Sequence, residues 1–247
     1  LTPHPLTLEQ AIAEIMALDR VVVGLDFDGT IAPIVEHPDL AVPDPMAVNW
    51  LQTLATMPGM GVVIVSGRAF DDLRRRLGEV PGVTLVGEHG NDYGAREPRP
   101  AVLEDAIEVV TSLGDRTPGA IVEVKQFSVT FHTRNVSGPR ANEALAFLHR
   151  WASERKKLTV LEGKEVLELS VATRTKGDAI MDIGVDADAI VFIGDDKTDE
   201  TVFEALRPGD VGVKVGEGDT AAQYRIPDVN GVGRLLETMA EMRRRRV

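Results

Sequence analysis

The 247-residue sequence contains no cysteine, which excludes disulfides and thiolate metal sites outright. No uninterrupted apolar stretch approaches the ~18 residues that read as a membrane-spanning helix. The first residues, LTPHPLTLEQ, lack the basic-then-apolar order of a secretory leader, so a cytoplasmic location is expected. Positive charge is in deficit: 27 Lys and Arg against 39 Asp and Glu leave a net charge of −12, with a pI near 4.9. Such a field repels polyanions and argues against nucleic acid as the main partner. It also obliges any phosphate site to overcome the global charge with a metal ion or local cations. A GxxxxGK[ST] run is missing, which disfavours a P-loop kinase. No internal repeat or low-complexity tract is present. The basic run at the C-terminus, Arg243–Arg246, suits the dipole of a solvated helix end better than a membrane or nucleic-acid tail.

What is present is a core. Hydrophobic residues make up 43% of the chain, enough for one large domain or two modest ones. Thr7 and Gln10 have capping-box spacing, and Leu8, Ile12, Ile15 and Met16 recur on one helical face. VVVGLD (Val21–Asp26) is a continuous apolar run that ends in acid, the pattern of a parallel strand covered on both faces. Asp44 as cap and Pro45 in the first turn start a helix that carries Val48, Leu51 and Leu54 inward. GVVIVS ends at Ser66, a helix follows as far as Gly78, and VTLVG leads into Glu88-His89-Gly90. The same rhythm returns near the C-terminus: AIVFIGDD, a helix over about 198–206, DVGVKV, and a last helix from about Gly231. This alternation predicts a doubly wound, Rossmann-like parallel α/β sheet.

The middle differs. A helix over 101–113 precedes IVEVKQ and SVTFHT, and a helix over about 140–155 precedes LTVLEG and VLELSV. Strands placed back to back pair antiparallel. The expected organisation is a core of residues 1–93 and 172–247 with an inserted α+β cap domain over 94–171.

Ligands of an open α/β sheet sit beyond the carboxyl ends of the strands. Asp26, Asp28, Ser66, Lys176, Asp195, Asp196 and Asp199 all read as lying there. Each has a plain explanation alone: Asp-Gly is a common turn, Ser-Gly punctuates loops, and an aspartate caps a helix. Together they fit one reaction, phosphoryl transfer through an aspartate. Asp26 is the candidate nucleophile, forming an acyl phosphate. Attack by an anion on an anionic phosphate calls for Mg²⁺, which takes hard oxygen ligands. Asp26 and Asp195 can share that ion with the main-chain carbonyl of Asp28, with Asp196 and Asp199 water-bridged or one shell farther out. Asp28 is the candidate general acid and base, with Thr30 expected to orient it, and Ser66 and Lys176 are expected to hold phosphate oxygens.

The strings DFDGT, Ser66-Gly67-Arg68, Lys176-Gly177 and GDDKTDE resemble the four motifs of the haloacid dehalogenase superfamily. The resemblance covers the whole chain, since the insertion falls where one class of members carries a cap. Within the superfamily the chain is most similar to trehalose-6-phosphate phosphatases, on LDFDGTIAPI, VSGR, GEHG, FHTR, GKEVLEL, TKG and GDDKTDE in that order. It implies a magnesium-dependent phosphatase releasing trehalose and phosphate, with the first aspartate as nucleophile and the second as acid/base. It also implies a substrate-binding set of Gly67, Arg68, Glu88, His89, Arg134, Lys164 and Glu168. Glu168 shares a strand face with Val166, while Leu167 and Leu169 share the other. Some family members carry a preceding synthase domain; none is found here, so a stand-alone, monomeric phosphatase acting on a small sugar phosphate is expected. Two alternatives stay open: a related sugar phosphatase or phosphomutase, and a non-catalytic regulator that binds sugar phosphate. The intact Asp26–Asp28 pair argues against the second.

Overall fold

The structure is a computed structural model that describes residues 6–35, 37–95, 98–163 and 165–246. It divides into two compact units, Leu1–Gly94 with Arg174–Val247, and Ala95–Thr173. The first unit opens with α1 (Leu8–Met16), β1 (Val21–Leu25), α2 (Pro45–Ala55), β2 (Met60–Val65), α3 (Phe70–Leu77) and β3 (Val83–Val86). The second holds α4 (Ala101–Asp115), β4 (Ile121–Val124), β5 (Ser128–His132), α5 (Gly138–Ser153), β6 (Thr159–Gly163) and β7 (Val166–Ser170). The chain returns to the first unit with α6 (Lys176–Ile183), β8 (Ala189–Gly194), α7 (Glu200–Phe203), β9 (Val211–Val215), β10 (Tyr224–Ile226) and α8 (Val229–Arg246).

The first unit is built on a six-stranded sheet in the order β10-β9-β8-β1-β2-β3, with every pairing parallel. β1 is central, in register with β2 (Leu25 opposite Ile64) and β8 (Leu25 opposite Ile193). All five of its residues are buried because both faces are covered. Val21, Val23 and Leu25 pack with Ile12, Met16, Leu51 and Leu54, while Val22 on the other face packs with Ala179, Ile180 and Phe192. Each fully buried side chain of this size contributes roughly 1.5–3 kcal/mol. The helix starts are set locally. Thr7 accepts from the Gln10 amide while the Gln10 side chain accepts from that of Thr7, and Asp44 accepts from the Ala47 amide at 2.8 Å.

The second unit is α+β: an antiparallel sheet, β4-β5-β7-β6, carries helices on one face. Val129, Phe131, Leu167 and Leu169 point toward Leu103 and Val110 of α4 and Leu148 of α5. Thr130 and Glu168 lie directly opposite each other on the reverse face. No described helix is long and apolar enough to cross a membrane.

Two local expectations change, and one strand was not expected at all. β10 spans only three residues before Pro227, too short for a period to show. The helix expected over about 198–206 spans only Glu200–Phe203; its start is delayed because Asp196 accepts from the amides of Thr198 and Asp199, and Asp199 from those of Asp195 and Asp196. The basic run at the C-terminus is not simply a solvated end. Arg243 is only 3% exposed. Its Nη1 donates to the carbonyls of Met16 (3.0 Å) and Leu18, and its Nη2 to those of Asp19 (2.7 Å) and Pro58 (2.8 Å). Carbonyls at the end of α1 that lack helical partners are thus satisfied from α8. Replacing Arg243 with Met should lower unfolding stability by about 2–4 kcal/mol in urea titrations, since several buried acceptors lose a charged donor. Arg245→Ala, at a side chain 79% exposed, should stay within about 0.5 kcal/mol of wild type in the same assay.

Candidate active site

β1 lies where the strand order reverses, with β2 and β3 to one side and β8 and β9 to the other, so the loops after β1 and β8 open side by side. The first residue after β1 is Asp26 and the first after β8 is Asp195. Asp26 continues the ladder, its amide donating to Ile193 O at 3.0 Å. The chain then turns tightly: the amides of Ile31 and Ala32 both donate to Phe27 O, and Gly29 N to Ala32 O at 2.7 Å. Gly29 makes this possible twice over. Its φ is +75°, and a Cβ there would come within 2.0 Å of Asp195 Oδ2.

Carboxylate oxygens of Asp26, Asp195 and Asp199 lie within 4.8 Å of one another. Lys176, the first residue of α6, reaches into this group. Its Nζ is 2.9 Å from Asp26 Oδ1 and 2.8 Å from Asp199 Oδ1, with Asp196 Oδ1 at 3.9 Å. Thr175 caps that helix through a capping box with Asp178, which fixes where the lysine starts. Asp199 is completely buried, and its other oxygen accepts from the amides of Asp195 (2.8 Å) and Asp196 (3.0 Å). The Asp196 carboxylate turns back on its own loop, accepting from Thr198 N, Thr198 Oγ1 and Asp199 N.

The charges follow from this packing. Burial, then the nearby charges of Asp199 and Asp196, push the Asp26 carboxyl well above the usual range, against the pull of Lys176. Burial and the same two neighbours raise Asp195 to about 6. Asp199 is raised by burial first. Burial also works against ionised Asp196, but Lys176 and the bonds from Thr198 and Asp199 hold it low. Burial is the largest single influence on Lys176 and works to lower it, yet the surrounding carboxylates hold it above the ordinary lysine range. One ammonium is too little charge for three clustered carboxylates. A hard divalent cation fits this all-oxygen donor set and would relieve their repulsion.

The remaining residues fall into place around the cluster. The Thr30 hydroxyl, expected on Asp28, donates instead to Asp195 Oδ1 at 3.4 Å. Asp28 is held by Arg68, Nε to Oδ2 and Nη2 to Oδ1, both at 2.7 Å. Its side chain is 40% exposed, against 5% for Asp26, so the two aspartates of one motif occupy different surroundings. Ser66 is buried and its Oγ accepts from Arg68 N at 3.3 Å. The turn Glu88-His89-Gly90 carries two non-glycine residues in the left-handed region, Glu88 at φ 45° and His89 at φ 57°. Such a backbone costs roughly 1–3 kcal/mol per residue and collects at functional sites. Here it is held by bonds from Glu88 N to Arg68 O and from His89 N to Ser66 O, both 2.9 Å. Gly67 lets the His89 ring come close; a Cβ on it would meet ring atom Cε1 at 2.5 Å.

Three of the remaining candidates, Arg134, Lys164 and Glu168, belong to the second unit. Glu168 accepts from Lys125 Nζ (3.5 Å) and Thr130 Oγ1 (3.3 Å), and Arg134 pairs with Glu165 at 3.7 Å. Lys164 lies outside the described residues. Two residues escaped the sequence reading. Lys214 of β9 is buried and donates to the main-chain carbonyl of Asp195. A lysine in the otherwise apolar run VGVKV is the signal that could have found it. Asp72, four residues after Arg68, accepts from that guanidinium at 2.7 Å, an i,i+4 pair legible from spacing.

The family model for trehalose-phosphatase matches residues 24–229. The chain belongs to that family. Over 250 residues it is 33% identical to a bifunctional trehalose-6-phosphate synthase/phosphatase of Thermoproteus tenax, covering 95% of this chain and 34% of the relative. Over 248 residues it is 34% identical to a trehalose-phosphate phosphatase of Mycobacterium leprae, covering 88% and 57%. The chain thus spans about a third to three-fifths of these relatives. Its fold matches the C-terminal domain of a C. albicans trehalose-6-phosphate phosphatase with a TM-score of 0.73 at 22% identity, covering 98% of each chain.

The cluster makes a prediction about metal. A divalent cation at about 100 times its Kd should add about 2.7 kcal/mol of stability, read as a rise in Tm. Asp195→Asn should abolish most of that rise. Asp196→Asn, whose carboxylate serves its own loop, should keep most of it.

Proposed function

We propose that this protein is a Mg²⁺-dependent phosphatase that hydrolyses trehalose 6-phosphate to trehalose and phosphate, acting as a cytoplasmic monomer. The observation that carries the reading is the buried Asp26 at the end of β1, clustered with Asp195 and Asp199 and paired with Lys176 at 2.9 Å. Membership of the trehalose-phosphatase family supplies the substrate class.

Asp26 attacks phosphorus, forming an O–P bond as the bond from phosphorus to the sugar oxygen breaks. Asp28 gives its proton to the departing oxygen. Water then attacks the acyl phosphate and gives a proton to Asp28, which frees phosphate and restores both aspartates. Lys176 and Ser66 hold phosphate oxygens, the lysine as a compact point charge. Asp26, Asp195 and Asp199, with the main-chain carbonyl of Asp28, would hold the Mg²⁺, which neutralises charge as an anionic nucleophile meets an anionic phosphate. Glu200 lies beyond this set, in α7. The second unit is proposed as the inserted cap domain, with Glu168, Lys164 and Arg134 proposed to read sugar hydroxyls; Glu88, Gly67, Arg68 and His89 are the substrate-binding residues proposed for the first unit. Carboxylates suit this task because each accepts from two neighbouring hydroxyls.

Phosphate release should be measured with trehalose 6-phosphate beside glucose 6-, sucrose 6- and mannose phosphates. Activity should be highest on the first, vanish with EDTA and return with Mg²⁺. Asp26→Asn should form no hydroxylamine-sensitive phosphoenzyme. Full activity without metal, or a phosphoenzyme in that variant, would sink the mechanism.

Glu168→Ala should cut kcat/KM for trehalose 6-phosphate by roughly 10–10³-fold and affect p-nitrophenyl phosphate much less, since only the sugar offers hydroxyls to read. Equal losses on both substrates would instead assign Glu168 to the fold of its unit.

A further inference from the structure

We propose that Asp72 and Arg76 are positioning residues for Asp28, acting on it through Arg68; this rests on the reading of Asp28 as proton donor. The four side chains form a line of alternating charge. Arg68 grips both oxygens of Asp28 with Nε and Nη2, and its third nitrogen, Nη1, donates to Asp72 Oδ2 at 2.7 Å. The same Oδ2 accepts from Arg76 Nε at 2.7 Å. Arg76 in turn donates from Nη1 to the carbonyls of Asp39 and Ala41, and from Nη2 to Asp39 Oδ1, all at 3.1 Å. Asp72 and Arg76 lie four apart on α3, on the face that also meets Arg68 just before the helix. The Arg68 guanidinium lies 5.2 Å from the centre of the Phe27 ring, between the two aspartates it serves.

The arrangement answers a mechanical problem. A carboxyl group that protonates a leaving oxygen needs one of its own oxygens released, yet Arg68 holds both. If Asp28 were the guanidinium's only carboxylate partner in this line, Arg68 would follow Asp28 as it turned. Asp72 supplies a second carboxylate that keeps Arg68 where it is. Arg76 ties Asp72 to main-chain carbonyls outside the helix, so Asp72 cannot follow Arg68. None of the Asp72 or Arg76 bonds described above goes to Asp26, Asp195, Asp199 or Lys176. Their effect should therefore fall on proton delivery and leave metal binding intact.

Leaving-group dependence isolates that effect. Sugar phosphates expel an alkoxide that needs a proton, whereas p-nitrophenyl phosphate expels a phenolate that leaves without one. In single-turnover experiments with Mg²⁺, Asp72→Asn should slow transfer from trehalose 6-phosphate by roughly 10–100-fold. The nitrophenolate burst should stay within about threefold of wild type, and the Mg²⁺-induced rise in Tm should be unchanged. Arg76→Gln should show a smaller loss in the same direction, and it carries the test if Asp72→Asn fails to fold. Equal slowing on both substrates, or none on either, would overturn the proposal. A wild-type protein that turns over no sugar phosphate would overturn the underlying reading of Asp28 as well. Wild-type activity on both substrates with unselective variants would overturn the relay alone.

Discussion

The crowding of Asp26, Asp195 and Asp199 around the single ammonium of Lys176 sets the terms for much of the first unit. Like charges gathered away from water are unstable unless something of opposite sign is fixed among them. The lysine is fixed by being the first residue of a capped helix, and Asp199 by two backbone amides that bond its second oxygen. Lys214 adds a further buried cation beneath the Asp195 carbonyl. The site is therefore held by polar bonds at its rim and by the apolar central strands β1, β2 and β8 below.

That division explains the two environments within the motif Asp26-Phe27-Asp28. Phe27 is wholly buried and anchors the turn, with Asp26 directed into the dry cluster and Asp28, itself partly exposed, toward Arg68. The nucleophile proposed at Asp26 gains from a site without competing water, whereas the acid proposed at Asp28, which must also take a proton back, needs access to it. Two residues of separation across a tight turn supply both conditions.

Much of the first unit was legible in the sequence because its strands are buried on both faces and end in chemistry. Apolar runs such as VVVGL and AIVFIG have few other readings, and Asp-Phe-Asp-Gly-Thr marks a specific turn. What the sequence hid depended on partners far along the chain. Thr30 bonds Asp195, 165 positions away, and no local pattern reveals that choice. Arg243 sits among four arginines of identical type, and only the fold decides which one turns inward. The shortened α7 was missed for a different reason: its aspartates cap loop amides and each other, so a stretch with helical composition spends its first turn on side-chain bonds.

The order in which the chain is threaded has a consequence for synthesis. The second unit is continuous, Ala95–Thr173, and all its strands have been made before β8 exists. Until β8 arrives, β1 has β2 on one side and an open hydrogen-bonding edge on the other. A growing chain can thus complete its inserted unit while the central strand of the earlier one still presents an apolar strand with one open edge. Such an edge is a template for wrong pairing. The closing contacts come last, since the Arg243 bond to Met16 spans 227 positions. Slowed elongation between the inserted unit and β8 would lengthen the time that edge is exposed, making that stretch of translation the one where a chaperone has most to protect.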